Sequence, residues 1–316
     1  MGRVGVSWSR IGNLIPLLLG ITVVSFWLIR LVPGDPAQQI LGNRYTPEAA
    51  QAIRENLGLD QSIAAQYGLF LRGALTGSFG ESYQYHRQVG ELLLDRVGPS
   101  LLLVALTAVL CTAISVPLGL WAGVHRGGAV DQFTRIFLTL GFALPAFLIG
   151  VVLILVFGLK LGWAPIGGYG TGFVDHLRHL VLPALTLAIP FSTVLVRSLR
   201  ASTITVLESD FVTIARLKGI SNTRLMTRHV LRNAISPVAV VFGINLAFLV
   251  GGTVVVENVF SIPGLGSLLV GAVSTRDYPV VQAVALVLAV FVVLVNLLTD
   301  VVHGTLDPRL AVAVER

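Results

Sequence analysis

Long apolar stretches recur along this chain, and they restrict its fold more than any other feature. The first runs from Ile11 to Val32, and about 20 residues is the length at which an α-helix crosses the hydrocarbon core of a bilayer. Charged residues make up only 12% of the 316 residues, and the mean hydropathy is +0.84. Lipid offers backbone groups no water partner, so only helices and closed barrels span it. We therefore predict an all-α, polytopic membrane protein.

Six spans are predicted, and their flanking charges orient them. Arg3 and Arg10 precede the first span, which places the N-terminus in the cytoplasm, and an even number of spans returns the C-terminus there. Pro145 is expected near the middle of the third span. Pro183 and Pro190 are expected to break the fourth span and make its helix irregular. The spans are about Ile11–Val32, Pro99–Val124, Gln132–Leu159, Leu180–Leu199, Ala234–Val256 and Pro279–Val302.

The net charge and the cysteine content exclude two further features, a nucleic-acid-binding domain and an internal disulfide. The net charge of +6 is interpreted as an orientation signal and not as a nucleic-acid footprint, because no polar basic domain is present to hold one. The single cysteine, Cys111, lies in an apolar stretch, so no internal disulfide is predicted.

The segment 34–97 is the only long hydrophilic stretch and is expected outside the cytoplasm. Thr46 with Pro47 predicts a helix start, Gly58 its end, and Asp60 the cap of a second helix. That helix has an apolar stripe, which lies on the membrane surface or packs against the spans. A packing role is favoured over contact with substrate, because such a stripe is usually a buried face. The stripe consists of Ile63, Tyr67, Phe70, Leu71 and Leu75.

A polar run, 208–233, lies between the fourth and fifth spans and is predicted to be cytoplasmic. Ser209 or Asp210 suits a helix start and Gly219 its left-handed end. A second short helix ending near Asn233 completes a compact knob. Positive charge between flanking spans marks the cytoplasmic side, and the run carries five cations, namely Arg216, Lys218, Arg224, Arg228 and Arg232.

Two further features concern the pathway and metal binding. Asn245 lies within the fifth span, where it hydrogen-bonds another helix or faces a pathway. The Pro- and Gly-containing segment 256–266 predicts a tight turn that helps to close an outer gate or is purely structural.

His176 and His179 have a spacing found in metal sites, but a third ligand is missing and a structural pair is favoured.

The sequence lacks three common motifs of ATPases and hydrolases. A nucleotide-binding P-loop needs Gly-Lys-Ser/Thr, whereas Lys160 and Lys218, the two lysines of the chain, are followed by Leu161 and Gly219. Neither a His-Glu-x-x-His metalloprotease signature nor a Gly-x-Ser-x-Gly nucleophile elbow is present. No catalytic, cofactor-binding or metal site is predicted in this chain.

Ala215, Gly219 four residues on, His229–Asn233 and Pro237 form a pattern in the polar run. This pattern, together with several other segments, resembles the permease subunits of binding-protein-dependent ABC importers, in particular the B-type subunit of dipeptide and oligopeptide importers. The wider family has Glu-Ala-Ala where this chain has Thr213-Ile214-Ala215, and Leu-Pro where it has Leu231-Arg232. The resemblance extends from Leu31 to Arg309. It rests on Ala215, Gly219, His229–Asn233, Pro237, Val256–Gly266, Leu31–Pro36, Leu57–Asp60, Gly77–Gly80 and Leu306–Arg309.

The resemblance implies a type I ABC importer permease with six transmembrane helices in one domain, 1–316, in a prokaryotic inner membrane. Its expected partners are a homologous second permease, two ATPase subunits or domains that bind ATP and magnesium, an extracytoplasmic substrate-binding protein and the lipid bilayer. The 208–233 run would be the coupling loop. Its ATPase-coupling residues would be Asp210, Phe211, Ala215, Arg216, Lys218 and Gly219, and the candidate pathway or gate residues are Asn245, Glu257, Asn258 and Phe260.

Other functions stay open at the level of the sequence. A gradient-driven secondary transporter or channel would need charged or broken helices at the midplane, and the intramembrane polar residues here are few. The basic loop alone is also compatible with binding anionic lipid. A membrane-embedded enzyme would need dispersed residues that the sequence does not pair. The cargo, whether a dipeptide, a longer peptide, a nickel chelate or another solute, is left undetermined.

Overall fold

The computed structural model describes residues 8–30, 37, 41, 45–56 and 60–306. Regular structure in these ranges is helical apart from one isolated bridge between Glu81 and Gln88, which confirms the all-α class. The predicted stop at Gly58, and the family-like segments 31–36, 57–59 and 307–309, lie outside the described residues. The helices are α1 (Trp8–Arg30), α2 (Pro47–Asn56), α3 (Ile63–Thr76), α4 (Val89–Val124), α5 (Ala129–Ala143), α6 (Ala146–Lys160), α7 (Phe173–Leu207), α8 (Asp210–Leu217), α9 (Asn222–Val259), α10 (Leu265–Ser274) and α11 (Tyr278–Leu306).

Four of the described helices are long and apolar enough to cross a membrane, namely α4, α7, α9 and α11. The pair α5 and α6 makes a fifth span if the two bent helices count as one. Helix α1 has 23 residues and is apolar over Pro16–Trp27. With α1 and the bent pair included, the set is consistent with the six predicted spans.

The third predicted span is broken. Helices α5 and α6 meet at an angle of 107°. Leu144 is extended, with φ −89° and ψ 129°, and Pro145 precedes the first turn of α6. A residue before proline avoids the helical region because the proline ring clashes with it. Pro145 therefore ends one helix and starts the next, instead of lying within a single span as the sequence had suggested.

The fourth predicted span is more regular than expected. Helix α7 is continuous over 35 residues although it contains Pro183 and Pro190. Threonine hydroxyls bond to carbonyls close to each proline: Thr186 donates to Leu182 O at 2.8 Å and Thr193 to Pro190 O at 2.7 Å. The carbonyls that lose their helical N–H donor are those of His179 and Thr186, four residues before each proline, and neither threonine bond goes to them. The prediction that the prolines break this helix is wrong.

The described chain divides into two compact units, and the larger comprises residues 101–262 and 292–306. Helix α7 is the most buried of the four long spans, with 61% of its apolar window covered against 28% in each of the others. Side chains from α4 and α9 surround it, so α7 is the centre of this unit. The buried cluster consists of Cys111, Ala188, Leu195, Leu199, Ala234 and Val238.

The second unit comprises the described residues among 8–100, together with 263–291. In it, α3 packs on α1 through aromatic rings: Phe26 lies 5.1 Å from Tyr67 and 6.0 Å from Phe70 between ring centroids. The Tyr67 hydroxyl is also 2.8 Å from Thr22 Oγ1. Ile63 and Leu75 of the same predicted stripe remain exposed. The packing role is thus observed for the middle of the stripe and not for its ends.

Helix starts in the second unit follow local chemistry. Thr46 caps α2 as predicted, since its Oγ1 accepts from Ala49 N at 3.2 Å. Ser62, and not Asp60, caps α3, because Ser62 Oγ accepts from Ala65 N at 3.3 Å. Helix α4 starts at Val89, ten residues before the predicted Pro99. Its added first turns are buried against α10 and α11 in a cluster of Val89, Leu92, Leu93, Leu265, Leu268, Ala272, Val280, Ala283 and Val284.

Candidate functional site

Helix α8 in the polar run follows α7 after only two residues. Ser209 occupies the N-cap position with an extended backbone, and its carbonyl accepts from Val212 N at 3.1 Å. The Ser209 hydroxyl instead donates back to Val206 O in α7 at 2.5 Å. Ser209 is therefore the predicted helix start, and its side chain fixes α8 to the end of α7.

Gly219 ends this helix in the predicted left-handed conformation, with φ +72°. The amide of Ile220 donates to Ala215 O at 3.2 Å and that of Gly219 to Arg216 O at 2.9 Å, which is close to the Schellman pattern. A Cβ at this glycine would have no atom within 4 Å. Gly219 is thus needed for its backbone angle and not for a close approach.

The inner face of α8 is closed by a small apolar core. Val212 is fully buried and Ala215 is 8% exposed, and both pack with Leu225 and Val230 at the start of α9. Ala215, one of the predicted coupling residues, thus points towards its own chain. Any part it takes in coupling would come through this packing.

The outer face of α8 presents three large apolar side chains to solvent. Phe211 is 43% exposed, Ile214 51% and Leu217 83%. A spacing of three residues places them along one side of a helix. Asp210, Arg216 and Lys218 are exposed beside them, and no ion pair is formed by these three with any described residue. We call these three apolar side chains and their charged border the α8 outer face.

The second predicted helix of the polar run is not separate. The helix that starts at Asn222 continues through Asn233 to Val259, so the predicted end near Asn233 is wrong. Residues Leu225–Val230 form a π-helical stretch, whose i to i+5 bonding brings Leu225 and Val230 to one side. Arg224, Arg228 and Arg232 are exposed on this helix.

The segment after α9 makes the predicted tight turn. Ser261 has φ +51°, and Ile262 N donates to Glu257 O at 2.8 Å. Phe260 is fully buried, and its carbonyl accepts from Gly168 N at 2.8 Å. A Cβ at Gly167 would lie 2.6 Å from Phe260 O. The turn is therefore held against the glycine-rich segment 167–168.

The other candidate pathway residues are placed separately. Glu257 is fully buried. The amides of Asn245 and Asn258 bond to carbonyls of their own helix, to Val241 O and Val254 O, each at 2.7 Å. Asn258 is exposed and Asn245 half-buried.

The two histidines in the first turns of α7, His176 and His179, have structural partners. His176 Nδ1 is 2.7 Å from Tyr169 O, and the two rings stack with centroids 3.9 Å apart. His179 Nδ1 is 2.9 Å from Asp175 O, within the same helix. Burial raises the pKa of Tyr169. These contacts fit the structural interpretation of the pair.

Comparison with known proteins places this arrangement in a family. Residues 115–312 match the family described as the binding-protein-dependent transport system inner membrane component, and residues 8–104 match its N-terminal family. The chain belongs to this family. It is a permease subunit of an ABC importer in a bacterial inner membrane, and ATP hydrolysis belongs to a separate ATPase subunit.

Relatives of the permease cover nearly its whole length. It is 38% identical over 304 residues to a putative peptide permease protein of Brucella suis, covering 94% of this chain and 95% of the relative. It is 37% identical over 302 residues to the glutathione transport system permease protein GsiC of Escherichia coli strain K12, covering 96% and 97%. The inward-facing MetNI methionine ABC transporter shares its fold, with a TM-score of 0.57 at 18% identity over 68% of this chain and 96% of that one.

Two residues of the α8 outer face were missed by the sequence analysis of the permease. Ile214 and Leu217 continue from Phe211 at three-residue spacing, which places them on one side of a helix, but Val212 and Ala215 have the same spacing, so the sequence does not show which side is outward. The family resemblance drew attention to Ala215 instead.

Proposed function

We propose that α8 is the coupling helix through which an ATPase subunit drives this permease. The observation that carries the proposal is the α8 outer face, because Phe211, Ile214 and Leu217 stay exposed while Val212 and Ala215 complete an internal core. An apolar centre with a charged border is the usual composition of a protein interface. A short amphipathic helix of this kind is suited to insert into a groove.

The proposed assembly contains a homologous second permease, two ATPase subunits or domains that hold ATP and magnesium, and an extracytoplasmic substrate-binding protein. Together the two permeases would enclose the translocation pathway, half from each. The five cations between Arg216 and Arg232 support a cytoplasmic position for the 208–233 loop. Both termini would then lie in the cytoplasm and the segment 34–97 outside it.

In this mechanism ATP binding closes the ATPase subunits and moves α8. Only Glu208 and Ser209 separate α8 from α7, so the displacement passes directly into the most buried span. Nucleotide can shift the permease only through a difference in affinity between its two states. Docking of the loaded binding protein supplies the linked effect from the other side. Asn245, Glu257, Asn258 and Phe260 are proposed to belong to the pathway or its outer gate.

Peptides are the proposed cargo. The support is the similarity to the Brucella suis putative peptide permease and the Escherichia coli glutathione permease, since glutathione is itself a small peptide. Gradient-driven transport is the alternative, and ATP dependence separates the two. Uptake of labelled glutathione and of a labelled dipeptide by proteoliposomes holding the complete importer should require ATP inside. Uptake that follows an ion gradient without ATP would contradict the proposal.

The docking proposal is tested by co-purification of the ATPase subunit with Leu217→Ser. Leu217 is 83% exposed on α8, and Leu75, 84% exposed on α3, is a matched control for loss of an exposed leucine. Removing a central apolar side chain from an interface costs about 1 to 4 kcal/mol. We expect Leu217→Ser to reduce ATPase recovery strongly and Leu75→Ser to leave it unchanged. Equal recovery with both variants would refute docking at this face.

A further inference from the structure

A buried ion pair joins α5 to α7 near the end that leads into α8. Asp131 has a side chain that is 1% exposed, and Arg200 one that is 21% exposed. Arg200 Nε donates to Asp131 Oδ1 at 2.6 Å and its Nη2 donates to Oδ2 at 2.9 Å. Such a bidentate contact fixes the orientation of the two side chains as well as their distance, because the guanidinium group is planar.

The remaining acceptor capacity of Asp131 is also used. Its Oδ2 accepts from Gly127 N at 3.0 Å and from Arg135 Nη2 at 3.2 Å. One carboxylate therefore connects the turn after α4, the first turns of α5 and the last turns of α7. Asp131 thus joins the contiguous stretch 127–135 to a residue of α7 that lies 69 positions later in the sequence.

Close packing reinforces the same stretch of α7. A Cβ at Gly119 would lie 2.8 Å from Leu199 Cβ, and one at Gly123 would lie 2.7 Å from Thr203 Cβ. The end of α4 therefore approaches α7 on either side of Arg200, along about one helical turn. Small residues permit this approach where lipid gives no hydrophobic drive for association.

A second ion pair nearby differs in strength. Arg126 Nη1 lies 3.0 Å from Glu208 Oε1, but both side chains are about two-thirds exposed, at 65% and 66%. Exposed pairs usually change an equilibrium by less than about fivefold. Removing one partner of a buried pair leaves an uncompensated charge, which is far more costly. Of the two, the Asp131 and Arg200 pair is the one able to resist movement.

We infer that Asp131 is a positioning residue of the coupling mechanism: with Arg200 it makes the end of α7 and the start of α5 move as one body when α8 is displaced. This inference rests on the proposed role of α8. Arg200 lies in α7, which is continuous up to Leu207. It precedes Asp210, the first residue of α8, by ten positions. A movement received at α8 would thereby reach α5 without being absorbed by sliding of α7.

The test measures the distance between α5 and α7 in two nucleotide states. Gln132 and Thr205 are exposed on these helices and are replaced by cysteine for spin labelling, with Cys111→Ala removing the native thiol. The complete importer is compared without nucleotide and after trapping with ATP and vanadate. We expect one unchanged distance in the otherwise native chain. In Asp131→Asn we expect the distances in the two states to differ by about 1 to 2 Å, the usual scale of interface helix shifts.

Arg135→Gln is the matched control, since it removes a 61% exposed donor from the same carboxylate and leaves the Arg200 contact in place. It should behave like the native chain. Arg200→Lys, which keeps the charge and loses the planar contact, gives the same comparison if Asp131→Asn does not assemble. A merely structural role would alter the distance equally in both nucleotide states, and that result would overturn the inference.

Two other outcomes would also overturn it: a native distance that changes with nucleotide, or an Asp131→Asn distance that does not. Recovery of the ATPase subunit with the native chain is measured in the same preparation. Failure at that step would count against the proposed role of α8, whereas normal recovery with either of these distance outcomes would count against Asp131 alone.

Discussion

The hydroxyl of Ser82 donates a 2.5 Å hydrogen bond to Oδ2 of Asp277, which lies 195 positions later in the chain. Ser82 is 1% exposed and Asp277 is fully buried. The same oxygen accepts from Gln84 N at 3.2 Å, whereas Oδ1 has no hydrogen-bond partner in the described part of the chain. This bond holds the segment before α4 against the start of α11 within the second unit.

Ser82→Ala is expected to destabilise the permease. It removes the shortest hydrogen bond to a buried carboxylate, and leaving such a group less satisfied costs about 1 to 3 kcal/mol. Thermal unfolding of the purified protein in detergent should show a lower Tm. Ser274→Ala is the control, because the exposed Ser274 hydroxyl bonds only to Val270 O of its own helix. Equal Tm values for the two variants would contradict the role of the Ser82 bond.

Tyr83 gives the second unit a pH dependence at alkaline pH. Burial, followed by the nearby Asp277 and Tyr278, raises the pKa of Tyr83 from 10.0 to about 12. The folded state therefore holds this proton more tightly than the unfolded state. Its contribution of roughly 2 to 3 kcal/mol is fully present below pH 10 and is lost as the pH rises through 12.

Denaturant titrations of the native chain and Tyr83→Phe between pH 10 and 12 test this sign. The free energy of unfolding of the native chain should fall more steeply with pH than that of the variant, which cannot lose the phenolic proton. Parallel curves for the two proteins would show that Tyr83 titrates alike in the folded and unfolded states.

Gly219→Ala should weaken the end of α8. The left-handed backbone at φ +72° costs a residue with a Cβ about 1 kcal/mol or more, even though space is available. Asn tolerates this conformation better, so Gly219→Asn is the matched variant. Hydrogen exchange of the Ile220 amide, which donates to Ala215 O, should accelerate with Ala more than with Asn. Equal acceleration would indicate that the backbone angle is not the reason for glycine here.

Ala215→Leu should loosen the polar knob from within. Ala215 packs on Leu225 and Val230, and excess volume in such a core costs about 1 to 3 kcal/mol. Tryptic cleavage after Arg216 and Lys218 should become faster. Thr213→Leu adds bulk at an exposed position of the same helix and should leave cleavage unchanged. If both variants were cleaved alike, Ala215 would not have the packing role that its burial indicates.

Which parts of this permease were predictable depends on the distance over which their causes act. The Thr46 cap, the left-handed Gly219 and the helix start at Ser209 need only neighbouring residues, and all three appear as predicted. The long apolar stretches likewise gave the class of protein. By contrast, the break at Pro145 and the continuous helix through Pro183 and Pro190 show that proline has no fixed meaning in a span. Its effect depends on the backbone conformation that the surrounding structure gives to the residue before it, which is extended at Leu144 and helical within α7.

The sequence by itself determined that this is a helical membrane protein with a polar, basic knob between spans, because hydropathy and capping are properties of short segments. Only the tertiary structure decided which face of α8 is outward, with Leu217 exposed and Ala215 buried. It also decided the pairing of Asp131 with Arg200 and of Ser82 with Asp277. These partners lie 69 and 195 positions apart, and residues so distant meet only through the path that the intervening helices take.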